Sequence, residues 1–192
     1  MTSDADCLQQ VRRGDPAGAE ALFQRHGTAI LHFATRMLGS QHEAEEICQD
    51  VFLKMIARAD QYDARAPLVS WLLSIAANAC RDQMRRRKRV NAVPLSDVDQ
   101  LPAPAPSAVS ALLDEERRRL VQEALASLSD EQREALVLAR YHGLPYAQVA
   151  AALGISEGAV KTRIFRAVET LRARLGDDGT STERQPWTAA KL

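Results

Sequence analysis

Residues 145–174 place basic and polar side chains on the second of two short predicted helices. The segment reads PYAQVAAALGISEGAVKTRIFRAVETLRAR, and its second helix carries Lys161, Thr162, Arg163 and Arg166. Lysine and arginine bind phosphate oxygens, and arginine can also donate two hydrogen bonds to the edge of a guanine. The pattern therefore predicts a helix-turn-helix whose second helix lies in the major groove of DNA.

The turn between these two helices can be predicted residue by residue. Gly154 can adopt the left-handed conformation that ends the first helix, and the Ser156 hydroxyl can cap the second. Apolar residues recur at helical spacing on both sides of the turn, which predicts a shared core beneath the basic face. These residues are Val149, Ala150, Leu153, Ile155, Val160 and Ile164.

The first half of the chain also has helical patterning. Asp15-Pro16 predicts an N-cap and first turn, and Gly39-Ser40 predicts a helix end. The predicted helices run from Pro16 to about His26, from there to Leu38, from 42 to 57, and from Leu68 to about Lys88. The polar, proline-ended segment RADQYDARAP, residues 58–67, is predicted to be a loop.

A proline-rich stretch divides the chain. Four prolines within residues 90–110, with alanine and serine between them, predict a solvated linker (Pro94, Pro102, Pro104 and Pro106). Helical periodicity resumes near Ala111, and Ser129 resembles an N-cap. Residues 177–192 are predicted to be frayed. The fold class is therefore all-α, with two small helical domains joined by a flexible linker.

The formal net charge is zero, from 25 basic and 25 acidic residues, which argues against a general nucleic-acid coat protein. The charges are nevertheless segregated along the chain. Basic residues cluster at Arg81 and 85–89 and again at 161–174, and acidic residues cluster at 43–50. This segregation indicates separate faces for DNA and for a protein partner.

Several classes of protein are disfavoured by the sequence. Cys7, Cys48 and Cys80 are too widely spaced for a disulfide framework or a closed zinc site, so we expect no metal or cofactor. Phosphate-binding glycine loops and nucleophile elbows are absent, so we expect no enzymatic activity. No apolar run is long enough to span a membrane and the first residues lack a signal-peptide pattern, which predicts a cytoplasmic protein.

Three segments, in this order, resemble the bacterial extracytoplasmic-function (ECF) RNA polymerase sigma factors of the sigma-70 superfamily. The segments are HEAEEICQDVFLKM at 42–55, PLVSWLLSIAANACRDQMRRRKR at 67–89 and SLSDEQREALVLARYHGLPYAQVAAALGISEGAVKTRIFRAVETLR at 127–172. The resemblance implies sigma domain 2 at 1–89, a linker at 90–112, sigma domain 4 at 113–176 and a tail at 177–192. The sequence departs from the family pattern at Gln148, where many relatives have glutamate, and at Ala159, where threonine is commoner.

The resemblance implies roles for particular residues. An acidic face bearing Glu46, Gln49 and Asp50 would contact the β′ clamp helices of RNA polymerase. Tyr62 and Asn78 would line a pocket for the −10 element, and Arg81, Arg85 and Arg86 would bind nearby phosphates. The −35 element would be read by Lys161, Thr162, Arg163, Phe165 and Arg166. Trp71 is expected to anchor the core.

The resemblance also implies partners: core RNA polymerase, through its β′ clamp helices and β flap, promoter DNA, and an inhibitory anti-sigma factor. Two alternatives remain open at this point. One is a helix-turn-helix regulator of another class, although residues 1–89 offer no sensor pocket or βαβ unit. The other is a sigma-like adaptor that binds polymerase without opening promoters.

Overall fold

The computed structural model describes residues 2–90 and 119–175, and every regular element in these two ranges is helical. This agrees with the predicted all-α class. The helices are α1 (Asp4–Arg12), α2 (Pro16–Leu38), α3 (Gln41–Ala57), α4 (Leu68–Val90), α5 (119–126), α6 (Asp130–Leu136), α7 (Tyr146–Leu153) and α8 (Glu157–Leu175), with a 3₁₀ turn at Ala59–Gln61 and a π-helical turn at Val137–Tyr141.

Helices α1 to α4 form a bundle in which α2 packs against the other three. The helix ends follow from local chemistry. Asp15 accepts a hydrogen bond from the backbone nitrogen of Ala17 at the start of α2. Gly39 ends α2 with a φ of +71°, and Ser40 caps α3. These caps fix where α2 and α3 begin and where α2 ends, so that the apolar side chains of the bundle meet in one core.

The helices of this bundle differ from the predicted ones at two places. Residues 16–38 form one continuous helix rather than two, because Gly27 keeps helical geometry and lies against the ring of Phe23. A further helix, α1, precedes them and was not predicted. Its N-terminus carries a capping box. The Ser3 hydroxyl accepts a hydrogen bond from the backbone nitrogen of Asp6, and the Asp6 carboxylate accepts one from the backbone nitrogen of Ser3.

The core of the bundle is formed by fully buried aliphatic and aromatic side chains. Phe33 is fully buried, as are side chains from α2, α3 and α4 (Leu22, Ile30, Met37, Val51, Met55, Leu72 and Leu73). The three cysteines are also buried and reduced. Burial raises the pKa of the Cys80 thiol to about 12, which keeps it protonated and unreactive.

Helices α5 to α8 form the second helical unit and confirm the predicted caps. Ser129 begins α6 with a capping box to Gln132. Gly154 ends α7 with a φ of +66°, and the Ser156 hydroxyl accepts from the backbone nitrogen of Ala159 at the start of α8. The predicted core of α7 and α8 is buried around Val149, Leu153, Val160 and Ile164.

The two helical units pack directly against each other. Helix α7 lies on α4, and α6 with the π-helical turn lies on α2. Polar contacts cross the boundary: Ser70 donates to Oε1 of Gln148 at 2.8 Å, and Arg133 donates to the carbonyl of Met37 at 2.7 Å. The predicted linker at 90–112, the helix start near Ala111 and the tail at 177–192 lie outside the described residues, apart from Val90 at the end of α4.

Candidate nucleic-acid interface

Helix α8 presents one polar face to solvent. Lys161, Thr162, Phe165 and Arg166 are all exposed and fall within less than half a turn of the helix. The Phe165 side chain is 66% exposed, so it contributes nothing to the core and is available to an apolar surface such as a thymine methyl group. Helix α8 is held on α7 by buried residues on its opposite side, which leaves this face unobstructed.

Arg163 differs from the other predicted residues of α8. It points away from their shared face and lines a cavity of about 360 Å³ between the two helical units. Arg81 and Arg85 line the same cavity from α4, and three carboxylates line it from α6 (Asp130, Glu131 and Glu134). Arg163 therefore shares a cavity with the α4 arginines and lies apart from the exposed face of α8.

The 58–67 loop holds Tyr62 against the start of α4. The Tyr62 ring packs on Trp71 with ring centroids 5.4 Å apart, and its hydroxyl donates to the carbonyl of Ala66 at 2.6 Å. Tyr62 is therefore half-buried, with its ring in tilted contact with Trp71. Trp71 is itself partly buried and packs against the core, in agreement with its predicted anchoring role.

Asn78 lies two turns after Trp71 on the same side of α4, and it is exposed. Its side-chain oxygen accepts a hydrogen bond of 2.5 Å from Nη2 of Arg81. The structure thus joins Asn78 to Arg81 and Tyr62 to Trp71, and no hydrogen bond or ring contact links Tyr62 to Asn78 directly. A base lying along this side of α4 would meet an aromatic group first and an amide two turns later.

Arg81 forms an ion pair with a carboxylate that the sequence analysis did not identify. Its Nε lies 3.1 Å from Oε1 of Glu134 on α6, and the Glu134 side chain is only 2% exposed. Burial raises the pKa of Glu134 to about 7, although the nearby Arg81 and Arg163 charges oppose that rise. The Arg81 guanidinium is therefore paired with a carboxylate of the second helical unit in this structure.

The other basic residues of α4 divide into two groups. Arg85 and Arg86 are exposed, as phosphate contacts should be, although Arg85 also contacts Asp82 at 3.1 Å. Arg87 instead turns inward and pairs with Glu43, and it donates to the carbonyl of Leu38 at 2.9 Å. The predicted phosphate-binding run at 85–89 is therefore interrupted by a side chain that ties α4 to α2 and α3.

The predicted polymerase-binding residues form an exposed patch on α3. Glu46, Gln49 and Asp50 are all exposed, and Leu53 extends the patch by one turn with a side chain that is 64% exposed. Glu43 begins the same stripe in sequence but is half-buried, because Gln83 and Arg87 of α4 hold its carboxylate. The Glu43 carboxylate thus binds side chains of α4, while Glu46, Gln49 and Asp50 face outward.

His142 is a second ionisable group that the sequence analysis did not place. It follows the π-helical turn, and its ring meets Phe33 of α2 edge-on with centroids 5.9 Å apart. Burial, with help from the charge of Arg36, lowers the pKa of His142 to about 4. Beside it, the Arg36 guanidinium lies 4.3 Å from the centre of the Tyr141 ring. The π turn therefore packs a neutral histidine against the first helical unit.

Glu134 and His142 are expected to make opposite contributions to the pH dependence of stability. Between pH 4.5 and about 7 only the unfolded chain loses the Glu134 proton, so this group lowers the free energy of unfolding as pH rises, by about 3 kcal/mol in total. Between pH 6.5 and about 4 His142 becomes protonated only in the unfolded chain, so this group lowers the free energy of unfolding as pH falls.

Denaturant unfolding across this pH range measures both contributions. For Glu134→Gln, the free energy of unfolding relative to the unsubstituted chain should increase as pH rises from 4.5 to 7. For His142→Phe, the same difference should increase as pH falls from 6.5. A difference that stays constant across its window would show that the group in question is not held away from its ordinary pKa.

Residues 2–90 and 119–175 contain no group of three or more His, Cys, Asp or Glu side chains placed to hold a metal ion. Across the same ranges, no helix combines the length and the apolar character required to cross a membrane.

The parts of the chain that carry these surfaces match two models of one protein family. Residues 22–90 match the family model for sigma-70 region 2, and residues 118–171 match the model for sigma-70 region 4. The α4 arginines and the α3 patch thus lie in the first match, and α8 lies in the second. Helix α1 lies outside both.

Individual relatives cover nearly the whole chain. The RNA polymerase sigma factor CarQ of Myxococcus xanthus is 34% identical over 170 residues, which span 88% of this chain and 96% of that protein. The ECF RNA polymerase sigma factor SigL of Mycobacterium tuberculosis is 34% identical over 163 residues, which span 84% and 90%.

Two solved structures resemble the fold. CnrH in complex with the cytosolic domain of CnrY gives a TM-score of 0.69 at 27% identity, covering 92% of this chain and 99% of that one. RpoE in complex with the anti-sigma factor NepR from Bartonella quintana gives 0.64 at 29% identity, covering 83% and 98%. With both sigma-70 regions matched in order and full-length relatives above 30% identity, the chain belongs to the ECF group of the sigma-70 family of RNA polymerase sigma factors.

Proposed function

We propose how this sigma factor divides promoter recognition between its two helical units. Domain 2, residues 1–89, reads and opens the −10 element through the 58–67 loop and α4. Domain 4, residues 113–176, reads the −35 element as duplex DNA through α8. Residues 90–112 link the two domains, and the chain works in the cytoplasm with core polymerase, contributing no catalytic step of its own.

The observation that carries this proposal is the exposed face of α8. Lys161, Thr162, Phe165 and Arg166 leave the core together and stand on one rigid helix fixed by Gly154 and Ser156. A helix presented in this way fits the major groove, where one arginine can identify a guanine through two hydrogen bonds. Lys161 would supply phosphate attraction and Phe165 apolar contact with a thymine methyl.

Replacing Arg166 with alanine tests this assignment. We expect binding to −35 duplex DNA to weaken by about 1–3 kcal/mol, with discrimination lost at one base pair only. Quantitative gel-shift titrations against a duplex series substituted at each −35 position measure both effects. Arg172→Ala is the matched control, since Arg172 pairs with Glu169 on its own helix at 3.0 Å. Equal weakening on every duplex would reassign Arg166 to the phosphate backbone.

Domain 2 is proposed to open the −10 element by capturing an unstacked base. Flipping a base out of the duplex costs a few kcal/mol, and stacking on an aromatic ring returns about 1–3 kcal/mol. Tyr62 supplies the ring, Asn78 supplies an amide for the base edge, and Arg81, Arg85 and Arg86 supply phosphate contacts. The base would stack on the Tyr62 ring beside its contact with Trp71.

The α3 patch is proposed to dock on the β′ clamp helices of core polymerase, and domain 4 on the β flap. Glu46, Gln49 and Asp50 bring charge and hydrogen-bonding capacity, and the neighbouring Leu53 brings an apolar contact that water does not satisfy. Interfaces commonly combine a desolvated apolar centre with a polar rim. Retention of core polymerase on immobilised protein tests this surface, and Gln49→Ala with Asp50→Ala should reduce it.

The contact between the two domains supports a further part of the proposal. In the closed arrangement Arg81 pairs with buried Glu134, and Ser70 holds Gln148, so the −10 face of α4 is partly covered by domain 4. Promoter binding then requires the domains to separate. An anti-sigma factor that binds across both domains would hold the chain closed and hide it from polymerase, as expected for a partner of this kind.

Two other functions would give different results in the same polymerase assay. A helix-turn-helix regulator of another class would bind duplex DNA but would not be retained by core polymerase. A sigma-like adaptor would be retained by core polymerase but would leave the −10 element double-stranded. The proposed function requires both retention and opening.

A further inference from the structure

The 58–67 loop is held from outside by a residue of α1. The Arg12 guanidinium donates to the carbonyl of Ala59 from Nε at 3.1 Å and from Nη2 at 2.8 Å, and Nη2 also donates to the carbonyl of Tyr62 at 3.0 Å. Nε lies 3.5 Å from Oδ1 of Asp60 as well. One planar side chain therefore fixes both ends of the 3₁₀ turn that precedes Tyr62.

Helix α1 is itself firmly attached to the bundle. Cys7, Leu8 and Val11 are buried, and Asp4 binds both Arg25 and His26 of α2, the latter at 2.9 Å. The backbones of α1 and α2 approach closely at Gly18, where an added Cβ would lie 2.7 Å from Cβ of Gln10. Arg12 thus reaches the loop from a rigid platform.

The loop also contains a residue with an unfavourable backbone conformation. Ala64 adopts a φ of +58°, a conformation that is unfavourable for a residue with a Cβ atom and that persists only where surrounding contacts impose it. The other side-chain contacts close to Tyr62 are those of its ring with Trp71, of its hydroxyl with the carbonyl of Ala66, and of Asp63 with Arg65 inside the loop. Loss of Arg12 would remove three hydrogen bonds from the backbone that carries the Tyr62 ring.

We propose that Arg12 is a positioning residue for promoter opening: it fixes the backbone of the loop that presents Tyr62 to an unstacked −10 base. This inference rests on the proposed −10 role of Tyr62. It assigns a function in recognition to α1, which lies outside the region matched to sigma-70 region 2. Arginine suits the task because its fork of donors can hold two carbonyls at once, which the single ammonium of lysine cannot reproduce.

The test uses holoenzyme assembled from core polymerase and the full chain. The probe is a promoter fragment selected by this holoenzyme, together with the same fragment carrying transversions in its −10 element. Permanganate reactivity of −10 thymines measures opening, and the ratio between the two fragments measures −10 discrimination. The variants are Arg12→Ala, Arg12→Lys, Tyr62→Ala and the control Arg13→Ala, since Arg13 is exposed and makes no described hydrogen bond to residues 58–67.

We expect Arg12→Ala to lower the discrimination ratio about tenfold, Arg12→Lys to lower it less, and Arg13→Ala to leave it unchanged. Core affinity and −35 duplex binding should stay the same in all variants, which separates positioning from general loss of folding. Arg12→Lys serves for this comparison if the alanine variant does not fold.

Three results would overturn the inference in distinguishable ways. Loss of discrimination in Tyr62→Ala with full discrimination in both Arg12 variants would refute the positioning role alone. Full discrimination in Tyr62→Ala as well would refute the −10 role of the loop, and the positioning role with it. A fall in thermal stability without any change in the ratio would make Arg12 a structural residue only.

Discussion

The Asn78→Ala protein is expected to bind core polymerase normally, and the resulting holoenzyme is expected to open promoters about 10- to 100-fold less. Asn78 is exposed on α4, and its amide is the group on that side of the helix best suited to hydrogen-bond a base edge. It also orients Arg81 through a hydrogen bond of 2.5 Å. Losing a base contact worth about 1–3 kcal/mol leaves the cost of unstacking without compensation.

Permanganate footprinting of the −10 element measures this effect, with core affinity measured on the same preparations. Gln9→Ala is the matched control, because Gln9 is also an exposed helical amide and lies on α1 away from α4. Normal opening by Asn78→Ala would show that the −10 pocket is assigned to the wrong side of α4. Loss of core binding would show instead that the substitution acts through the fold.

Free protein carrying Asp130→Arg should adopt an open arrangement and should bind single-stranded −10 DNA about tenfold more tightly. In the closed form Asp130 accepts a hydrogen bond of 2.6 Å from Lys88, and it lines the cavity shared with Arg81 and Arg85. Reversing its charge replaces one attraction with repulsion from several cations, worth about 1–2 kcal/mol near a surface. Apparent affinity rises in proportion to the fraction of binding-competent protein.

Small-angle scattering reports the opening, and fluorescence anisotropy with a −10 oligonucleotide reports the affinity. Glu169→Arg is the matched control: it reverses an exposed acidic residue of domain 4 that pairs only within its own helix, with Arg172. An increase in affinity shared equally by both variants would reflect added positive charge rather than opening. An unchanged scattering profile for Asp130→Arg would show that the closed form does not depend on this contact.

The sequence was sufficient for features that depend on local chemistry. Ser129, Gly154 and Ser156 each act within three or four residues of their own position, so their caps could be predicted from neighbouring residue types alone. The exposed face of α8 followed from helical periodicity in the same way. The continuous helix α2 was missed because a glycine inside a helix costs only about 1 kcal/mol, which tertiary packing readily offsets.

Features that depend on distant partners could not be predicted. Glu43 was grouped with a solvated acidic stripe, and only the folded bundle places it against Arg87, 44 residues later. Glu134 looks like part of an ordinary charged helix in DEQREAL, yet Arg81 approaches it from the other helical unit. One signal was available for Glu134: it lies one helical turn before buried Leu138, at a position where an apolar residue is expected.

Run-off transcription with bacterial core RNA polymerase, on a pool of promoter fragments from the source genome, distinguishes a sigma factor from the alternatives. We expect specific transcripts only when the full chain is added, with aligned start sites that define a −10 and a −35 element. We also expect Asn78→Ala to reduce these transcripts about 10- to 100-fold while Gln9→Ala preserves them. Absence of transcripts from a chain that demonstrably binds core polymerase would show that this chain is not a sigma factor and would identify an adaptor that cannot open promoters.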